Sequence, residues 1–563
     1  MPSPTPIELA PDYYLVNFCA LLEFVMSRYQ PLLSPDERAL FDHFHAAAPD
    51  SQRLYVRLLS RKGVPSSAGA LFRQDKLAYP EIDDLAAATE ELRGVGLLQH
   101  NPALPLAEIL PLFTKAELMP RSLVPLPRSI KRPALEQALL DQAQDPAVFA
   151  DGETVLAVQG AEHFETFKLC FFGNLNQDLT DWVLRDLGLY QYERYPLDKH
   201  NLPFQSRAQI ERHQRYYACL AQQDEAVESG CEAILGLALQ LPTVPDSDTT
   251  LRRRVDRLRL ALGRQLERLE ALDAAERLYR ECIHPPARER RARIAVKSGE
   301  IDRGLSLCRE ILAAPSSEAE QVFAESFGYR TAKREKRLED WAAPERYQPP
   351  TETVTVPPMQ ECVELLAADW LQQTGGNSTQ CFYVENCLFN GVLGLYVWDI
   401  LFAPLPGAFF NPFQVAPSDF RSPDFYSARR EAFEQRLAEL DESTLAQRVW
   451  GTYREKHGIA NPLVAWDALS ESLLALALQR IPACHWHRLF ERLLRDITHY
   501  RSGLPDLILF PATGGYELVE VKGPGDRLQQ NQQRWLAFFA RNHIPHRVLH
   551  VEWAQAPADE VVT

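Results

Sequence analysis

Closely spaced pairs of cysteines are missing from this sequence, although it contains 10 cysteines in 563 residues. No Cys-x-x-Cys motif occurs, which argues against a cysteine-rich zinc module and against a disulfide framework. The nearest approach to a metal-binding cluster is CHWH at residues 484–487, whose side chains would point to different sides of a helix. We interpret these residues as an ordinary buried thiol and two histidines, and we expect a reduced cytoplasmic protein.

Signals for membrane insertion or export are also missing. The first residues, MPSPTPIELAPDYY, contain prolines and acids where a signal peptide has a basic region followed by an apolar one. The most apolar stretch, at 388–405, is interrupted by Asn390, Asp399 and Pro404 and is too short to cross a bilayer. We interpret this stretch as a buried helix, and we expect no membrane partner.

A positive charge over the whole surface is absent as well. The formal net charge is −16 and the pI is near 5.5, which argues against a protein coated with nucleic acid throughout. Basic side chains are nevertheless concentrated in the middle of the chain, in LRRRVDRLRLALGR at 251–264 and in ARERRARIAVK at 287–297. These clusters favour local contact with phosphate groups, and the alternative is a pair of solvated helix faces.

The order of helix and strand patterns predicts several domains. The length of 563 residues exceeds what one hydrophobic core normally serves, and 46% apolar residues fit a soluble globular protein. Helix-spaced apolar residues dominate the chain, and strand patterns appear late, in LPDLILF, YELVEVK and HRVLHVEW. We expect an N-terminal helical region at 1–65, a winged-helix-like region at 66–144, a helical repeat-like array at 145–345, a linker at 346–358 and an α/β domain at 359–563.

A basic turn interrupts the predicted winged-helix-like region. Residues 106–140 read as two short helical segments around a proline-containing turn with Arg121, Arg128, Lys131 and Arg132. Such a turn could present cations and a helix N-terminus to a phosphate backbone. A helical hairpin between domains with a solvated basic turn is an equally good interpretation of the same residues.

The stretch GLPDLILFPATGGYELVEVKGPGDRL places charged side chains in two adjacent strands. Side chains alternate along a strand, so Glu520 and Lys522 share one face while Val519 and Val521 point into a core. The turn PATGG allows a hairpin that brings the strand carrying Asp506 alongside. Nearby carboxylates repel each other unless a cation is bound, and hard oxygen ligands suit Mg²⁺ or Mn²⁺. The sequence therefore predicts a site for one or two divalent cations on this hairpin.

Lys522 would lie beside that site. It could orient or help to deprotonate an attacking water, or balance charge on a scissile phosphate, and the sequence leaves these roles open. The plainer interpretation is an exposed edge hairpin, because alternation of Glu and Lys over a few residues is common.

The spacing of Pro505-Asp506 and Glu520-x-Lys522, with an apolar strand on each side, resembles the PD-(D/E)xK nuclease superfamily. The longer string GLPDLILF…ELVEVKGPGDRLQQNQQRWL is similar to the virus-type replication-repair nuclease module of the Fanconi-associated nuclease family. VENCLFNGVLGLYVWDILF resembles that family's helix with a further metal-binding glutamate ahead of a Trp-Asp pair. Around LFTKAEL the chain resembles the family's SAP-type DNA-binding domain. The resemblance covers most of the chain and is loosest in the helical middle.

The resemblance implies roles for individual residues. The implied metal ligands and catalytic group are Glu385, Asp506, Glu520, the Val521 backbone carbonyl and the catalytic lysine Lys522. Gln532 matches a glutamine of the family and is expected to be an accessory contact. Arg253 lies where the family has an arginine of a 5′-phosphate pocket, whose partner histidine has no clear counterpart here. The further candidate phosphate contacts are Arg257, Arg290, Arg291, Lys131 and Arg132.

The resemblance also implies an activity. A member of this family is expected to be a metal-dependent, structure-selective DNA endonuclease that cuts 5′-flap and other branched DNA, with 5′-to-3′ exonuclease activity. It is expected to act in DNA repair, including repair of interstrand crosslinks, as a bacterial-type protein used at the nucleoid. Since the cysteine spacing is missing, we expect no ubiquitin-binding zinc finger.

Two alternatives stay open at this point. One is a Holliday-junction resolvase or a general exonuclease without flap preference. The other is a DNA-binding scaffold with an inactive nuclease module. The complete acidic set with Lys522 argues against the scaffold, because clustered carboxylates are costly to retain without a cation.

Overall fold

The computed structural model describes residues 12–177, 191–198, 201–344, 347–357, 362–376 and 378–554. The chain divides into two compact units, Met1–Tyr190 with Asp198–Gln214, and Gln191–Leu197 with Arg215–Thr563. In these described ranges, no helix is both long and apolar enough to cross a bilayer.

Helices open the first unit. Ser34 caps α2 in a capping box: its hydroxyl accepts from the Glu37 amide, and the Glu37 carboxylate accepts from the Ser34 amide. In YPEIDDLAAATEELRGVGLL, α4 is followed by Gly96 at a φ of +79° and then by β3. The first four helices are α1 (Tyr13–Tyr29), α2 (Pro35–Ala46), α3 (Pro49–Ser60) and α4 (Leu85–Gly94).

A small antiparallel sheet is formed by strands that lie on both sides of α4 in the sequence. Its strands are β1 (Val64–Ser66), β2 (Gly69–Arg73), β3 (Leu98–His100) and β4 (Val155–Val158), in the order β1-β2-β4-β3. We had placed residues from 145 onward in a helical array without strands, and β4 shows that this was wrong. Its run of four residues, VLAV, is too short to be distinguished from helix by periodicity, and only pairing with β2 and β3 makes it a strand.

Short helices cover this sheet. Leu71 and Val155 of the sheet belong to one core with Leu118, Leu135 and Leu139 from these helices. The helices are α5 (Leu106–Ile109), α6 (Lys115–Leu118), α7 (Arg132–Asp141) and α8 (Pro146–Phe149). The longer α9 (Ala161–Phe172) packs against α1, where Phe164 contacts Phe18.

Helices packed one after another form the middle of the chain, as predicted from the absence of strand patterns there. Small residues lie where neighbouring helices cross: a side chain at Gly263 would collide with the Tyr279 ring, and one at Gly304 with Val296. The helices are α10 (Arg207–Ala221), α11 (Gln223–Ser229), α12 (Cys231–Gln240), α13 (Thr249–Arg268), α14 (Leu272–Arg280), α15 (Ala287–Lys297), α16 (Ile301–Ala313) and α17 (Glu318–Arg334).

A five-stranded mixed sheet forms the centre of the C-terminal domain. The strands are β5 (Thr351–Val356), β6 (Gln380–Tyr383), β7 (Leu507–Phe510), β8 (Glu517–Lys522) and β9 (His546–Trp553), in the order β5-β9-β8-β7-β6. β8 is parallel to β9 and antiparallel to β7, so the predicted hairpin is confirmed and lies in the middle of the sheet rather than at an edge.

The sequence predicts a linker at 346–358, and the structure contradicts this prediction. Residues 351–356 pair in parallel with β9 along their whole length. The alternating TETVTV pattern was visible, but the prolines on both sides favoured a linker. A parallel edge strand with one buried face carries few apolar residues, and its partner lies almost two hundred residues away.

Helices cover both faces of this sheet. Val519 and Val521 pack with Ala367 and Leu371 of α18 on one face, so the predicted core on that side of β8 is confirmed. On the other face, Leu518 packs into a second, larger core. The helices are α18 (Val363–Gly375), α19 (Leu388–Tyr396), α20 (Trp398–Leu401), α21 (Asp424–Ser427), α22 (Arg430–Ala438), α23 (Glu442–Lys456), α24 (Glu471–Arg480), α25 (Ala483–Arg495), α26 (Ile497–Tyr500) and α27 (Gln530–Arg541).

Candidate functional site

Asp506, Glu520 and Lys522 lie together on one face of the five-stranded sheet. Ile508 of β7 pairs with Leu518 of β8, and the same register continued outward sets Asp506 opposite Glu520. The exposed fractions of Asp506, Glu520 and Lys522 are 8%, 1% and 8%. Two carboxyl groups and an amine are thus withdrawn from water, which is costly unless their charges are balanced.

The contacts among these groups balance the charge only in part. The Val521 amide donates to Asp506 Oδ2 at 2.8 Å. Lys522 Nζ lies 2.7 Å from Glu520 Oε1 as an ion pair. That contact lacks hydrogen-bond geometry, and Glu520 Oε1 is buried with no hydrogen-bond donor among the residues described. One amine therefore faces more than one carboxylate.

Glu385 reaches the same place from a distant part of the chain. It lies in the turn between β6 and α19, not on the helix as the resemblance implied, because α19 starts after it. The Val384 amide donates to the Asp506 carbonyl at 2.7 Å, and the Leu504 amide donates to Asn386 Oδ1 at 3.2 Å. These two bonds hold the Glu385 turn against the Asp506 segment.

Two residues near this cluster were not found from the sequence. The Tyr383 hydroxyl donates a short hydrogen bond to Glu385 Oε2, and this bond raises the pKa of Tyr383. Glu364 lies in the first turn of α18, and its charge acts on Asp506. Neither residue belongs to the string that carried the resemblance, and only the pairing of β6 with β7 and the packing of α18 on the sheet bring them close.

Burial and mutual repulsion shift the titration of the two central carboxyl groups. Burial raises the pKa of Asp506 to about 6, and the charges of Glu364 and Glu385 act in the same direction. Burial likewise raises the pKa of Glu520 to about 7, with the charge of Asp506 as the next cause. The Val521 amide and Lys522 oppose these shifts without cancelling them. The cluster therefore favours uptake of positive charge, as protons or as a cation.

The donor set fits a hard divalent cation. Carboxylate oxygens are the ligands that Mg²⁺ and Mn²⁺ prefer, and Glu520 Oε1 has no hydrogen-bond partner among the described residues besides its ion pair with Lys522. In the ranges that the structure describes, no three His, Cys, Asp or Glu side chains are already drawn together as a bound ion would hold them. Glu385, Asp506 and Glu520 could hold a cation once Lys522 and Tyr383 release the two glutamates.

Gln532 has a structural contact in this fold. It lies in the first turn of α27, and its Oε1 accepts from the Gln529 amide at 2.8 Å in a capping box. This contact explains a glutamine at the position without any contact to a ligand. Its accessory role stays a prediction.

A second charged feature of this unit is a cavity of about 560 Å³, which we call the basic cavity. Arg253 and Arg257 on α13 line it, whereas Arg290 and Arg291 on α15 do not. Arg290 is paired with Glu267, and Arg291 with Glu276. The full lining also includes Arg264, His284, Glu289, Ser316, Ser317, Arg421, Ser422, Arg495, Asp496 and His499 among its polar residues.

The basic cavity has more cations than local partners. Arg253 is paired with Asp424, and His499 with Asp496, an interaction that raises the pKa of His499. Arg257, Arg264 and Arg421 form no ion pair with a carboxylate in the described ranges, and burial raises the pKa of the lining carboxyl Glu289. The Ser422 hydroxyl is buried without a hydrogen-bond partner. Such a lining suits an anionic ligand with several oxygens.

Lys131 and Arg132 lie in the first unit, at the start of α7. Arg132 is paired with Glu136 one turn later, and Lys131 is exposed at the N-cap position. Lys131 is therefore accessible to a phosphate backbone or to water, and its contact with DNA stays a prediction.

Two family models match the chain. Residues 441–553 match the VRR-NUC domain, and residues 12–99 match the HTH domain of FAN1. The first range contains Asp506, Glu520 and Lys522, and the second contains the first four helices, the strands β1 and β2 and the start of β3.

Curated relatives resemble the chain over nearly its whole length. A Fanconi-associated nuclease 1 homolog of Pseudomonas aeruginosa is 36% identical, over 98% of this chain and 98% of its own. The human Fanconi-associated nuclease 1 is 24% identical over 96% of this chain, which corresponds to 62% of the human protein. A crystal structure of paFAN1 bound to 2nt 5′-flap DNA with a gap superimposes with a TM-score of 0.81 at 35% identity, covering 98% of this chain and all of that one.

Proposed function

The chain belongs to the Fanconi-associated nuclease family, and we propose that it is a metal-dependent nuclease that cuts 5′-flap DNA near the junction. The observation that carries this proposal is the buried cluster of Asp506, Glu520 and Lys522 beside Glu385. Its excess of carboxylate charge calls for a cation, and phosphodiester cleavage is the chemistry that such an ion commonly serves.

The residues divide the work by their chemistry. Glu385, Asp506 and Glu520, with the Val521 carbonyl, would hold one or two ions of Mg²⁺ or Mn²⁺. When bound, such an ion supplies Lewis-acid charge at the scissile phosphate and lowers the pKa of water. The Val521 amide keeps Asp506 in place through its bond to Oδ2. This amide therefore fixes a ligand without entering the reaction.

Lys522 would act on the substrate when its ion pair with Glu520 is released. The ammonium group can then donate to a non-bridging oxygen of the phosphate or orient the attacking water, and both roles stabilise charge that develops in the transition state. Its ion pair with Glu520 keeps the amine at the site before substrate arrives.

The basic cavity supports the preference for a 5′ flap. We propose that Arg253 and Arg257 bind the phosphate at a 5′ end, which sets the position of the cut relative to that end. Relatives of this chain have been crystallised on 5′-flap DNA with flaps of one and two nucleotides. Measuring from an end would also allow repeated incision, and hence the 5′-to-3′ exonuclease activity expected from the family.

A cellular role in repair, including repair of interstrand crosslinks, follows from the same proposal. Flaps and branched structures form when damaged strands are displaced. Recognition by shape and backbone contacts suits such lesions, because their base sequence varies.

A product map tests the proposal. End-labelled 5′-flap, 3′-flap and four-way-junction substrates are incubated with Mg²⁺ or Mn²⁺ at one fixed salt concentration, with and without a 5′ phosphate. We expect cleavage near the 5′-flap junction that is faster with the phosphate. Equal cleavage of all three substrates would favour a general exonuclease or resolvase, and no cleavage with either metal would favour a DNA-binding scaffold.

A further inference from the structure

A buried acid stands behind the basic cavity. Asp256 lies on α13 between two turns that face the cavity, and its side chain has an exposed fraction of 0%. Its Oδ2 accepts from the amides of Ile283 and His284 at 3.0 and 3.2 Å. The same oxygen lies 2.7 Å from His284 Nδ1. One carboxylate thus holds both the backbone and the ring of a residue that lines the cavity.

The ring of His284 is held by only one of its two nitrogens. Nδ1 lies 2.7 Å from Asp256 Oδ2, and the hydrogen bonds and ion pairs of the described residues include none to Nε2. A histidine whose Nδ1–H donates to a carboxylate has a fixed ring orientation, and a proton on Nε2 then makes that nitrogen a donor as well. Since the residue lines the cavity, this second donor is available to a ligand there.

The contact between Asp256 and His284 is withdrawn from water on the side of the acid. Asp256 is fully buried, and its Oδ2 lies 2.7 Å from His284 Nδ1. Removing one partner of a buried charged pair is costly, because the other charge is then left without compensation. A phosphate bound in the cavity would lie on one side of the His284 ring, with the Asp256 carboxylate on the other.

We infer that Asp256 is a positioning residue for 5′-phosphate recognition: it holds His284 so that the ring donates to the phosphate from the wall of the basic cavity. This inference rests on the proposed function of the cavity. It adds a residue that touches no substrate, while His284 takes the place of the partner histidine that the resemblance implies for a 5′-phosphate pocket.

The substitutions Asp256→Asn and His284→Gln test the inference in the full-length protein. Asparagine keeps an oxygen that can accept from the two backbone amides, and it removes only the charge. The measurement is the ratio of the single-turnover cleavage rates on the same flap with a 5′ phosphate and with a 5′ hydroxyl. We expect both variants to lower this ratio about 10-fold, as loss of one charge-assisted hydrogen bond would, and the double variant to lower it no further.

The controls separate the possible failures. The exposed Asp273→Asn on the neighbouring helix α14 should leave the ratio unchanged. If the wild-type protein shows no preference for the phosphate, the proposed function of the cavity fails. If the wild type and His284→Gln behave as expected but Asp256→Asn keeps the wild-type ratio, the inference about Asp256 is overturned.

A purely structural role for Asp256 has its own signature. It would slow both substrates equally and leave their ratio unchanged, which would also overturn the inference. If Asp256→Asn melts well below the wild type, Asp256→Ser removes the charge with less bulk, and the same change in ratio is expected from it.

Discussion

The two charged features of the second unit are opposite in sign and differ in how they are made. In the first, which we call the sheet cluster, the carboxylates of Glu385, Asp506 and Glu520 surround the amine of Lys522. In the basic cavity, arginines surround a few acids. Each has a buried oxygen without a hydrogen-bond partner, Glu520 Oε1 in one and Ser422 Oγ in the other. The first lacks positive charge and the second lacks negative charge, so a cation and a phosphate would complete them separately.

Under the proposed function, the sheet carries the residues for the chemistry and the cavity carries those for the choice of substrate. Backbone pairing fixes the carboxylates, because their strands share a register. Side-chain packing between α13 and the helices of the C-terminal domain fixes the arginines. Substitutions should therefore separate the two functions cleanly.

The largest effect is expected for Asp506→Ala. Loss of a preorganised charged group at the reacting centre should slow cleavage of a 5′-flap substrate by at least about 10²-fold in either metal. The preference for a 5′ phosphate should survive in the residual activity. Single-turnover rates measure both quantities, and the exposed carboxylate Glu552→Gln on β9 is the matched control. Cleavage at the wild-type rate in Mn²⁺ would show that Asp506 is not a metal ligand.

A smaller effect, on the preference for a 5′ phosphate instead of on the overall cleavage rate, is expected for Arg257→Ala. Arg257 has no acidic partner in the described ranges, so its loss removes a phosphate contact without exposing a buried acid. The rate on 5′-phosphorylated flaps should fall about 10-fold relative to 5′-hydroxyl flaps, with the metal requirement unchanged. An equal fall on both substrates would mean that the cavity does not recognise the 5′ end.

The next effect is on the pH dependence of stability, which should reflect the two central carboxyl groups of the sheet cluster. The folded-state pKa values of Asp506 and Glu520, about 6 and about 7, lie above those of the unfolded chain. The folded protein therefore binds more protons, and without metal its stability should fall as the pH rises from about 4 to about 7. The loss is on the order of 3 kcal/mol for each carboxyl.

Chemical unfolding of the metal-free protein at several pH values measures this slope. The double substitution Asp506→Asn/Glu520→Gln should flatten it, and Mn²⁺ should restore stability to the wild type at pH 7 but not to the double variant. A slope that is the same in both proteins would contradict the assignment to these two groups.

The smallest effect is expected for Arg290→Ala. Its guanidinium is paired with the largely buried Glu267, so the substitution should lower the free energy of unfolding by about 1 kcal/mol. Cleavage of either flap substrate should change less than about two-fold, because this arginine does not line the cavity. A selective loss on 5′-phosphorylated flaps would restore Arg290 to the list of phosphate contacts.

Much of the C-terminal site could be predicted because its residues lie on one short hairpin. The period of two along ELVEVK sets Glu520 and Lys522 on one face, and the turn fixes the partner strand. Glu385 came only from the resemblance, since nothing local indicates that its turn meets Asp506. Its position depends on the pairing of β6 with β7, and four residues carry too little periodicity to predict that strand.

The basic cavity was harder to predict than the sheet cluster. Clustered arginines in helices look alike in sequence whether they face a ligand or an acidic neighbour. Arg257 and Arg291 belong to similar basic runs, yet one lines the cavity and the other is paired with Glu276. The sequence did not identify His284 as a candidate. Its position in the cavity wall depends on a contact with Asp256 on α13, and no local pattern shows that contact.

The pairing of β6 with β7 has a consequence for how such proteins can diversify. These strands are neighbours in the sheet, although more than a hundred residues separate them in sequence. The segment between them carries several walls of the basic cavity, including Arg421, Ser422 and Arg495. Related proteins can vary the length and the sequence of this segment while the pairing of β6 with β7 holds both of its ends in the sheet. Under the proposed function, changes at these cavity residues can alter which DNA ends are accepted while the strands that carry Glu520 and Lys522 keep their pairing.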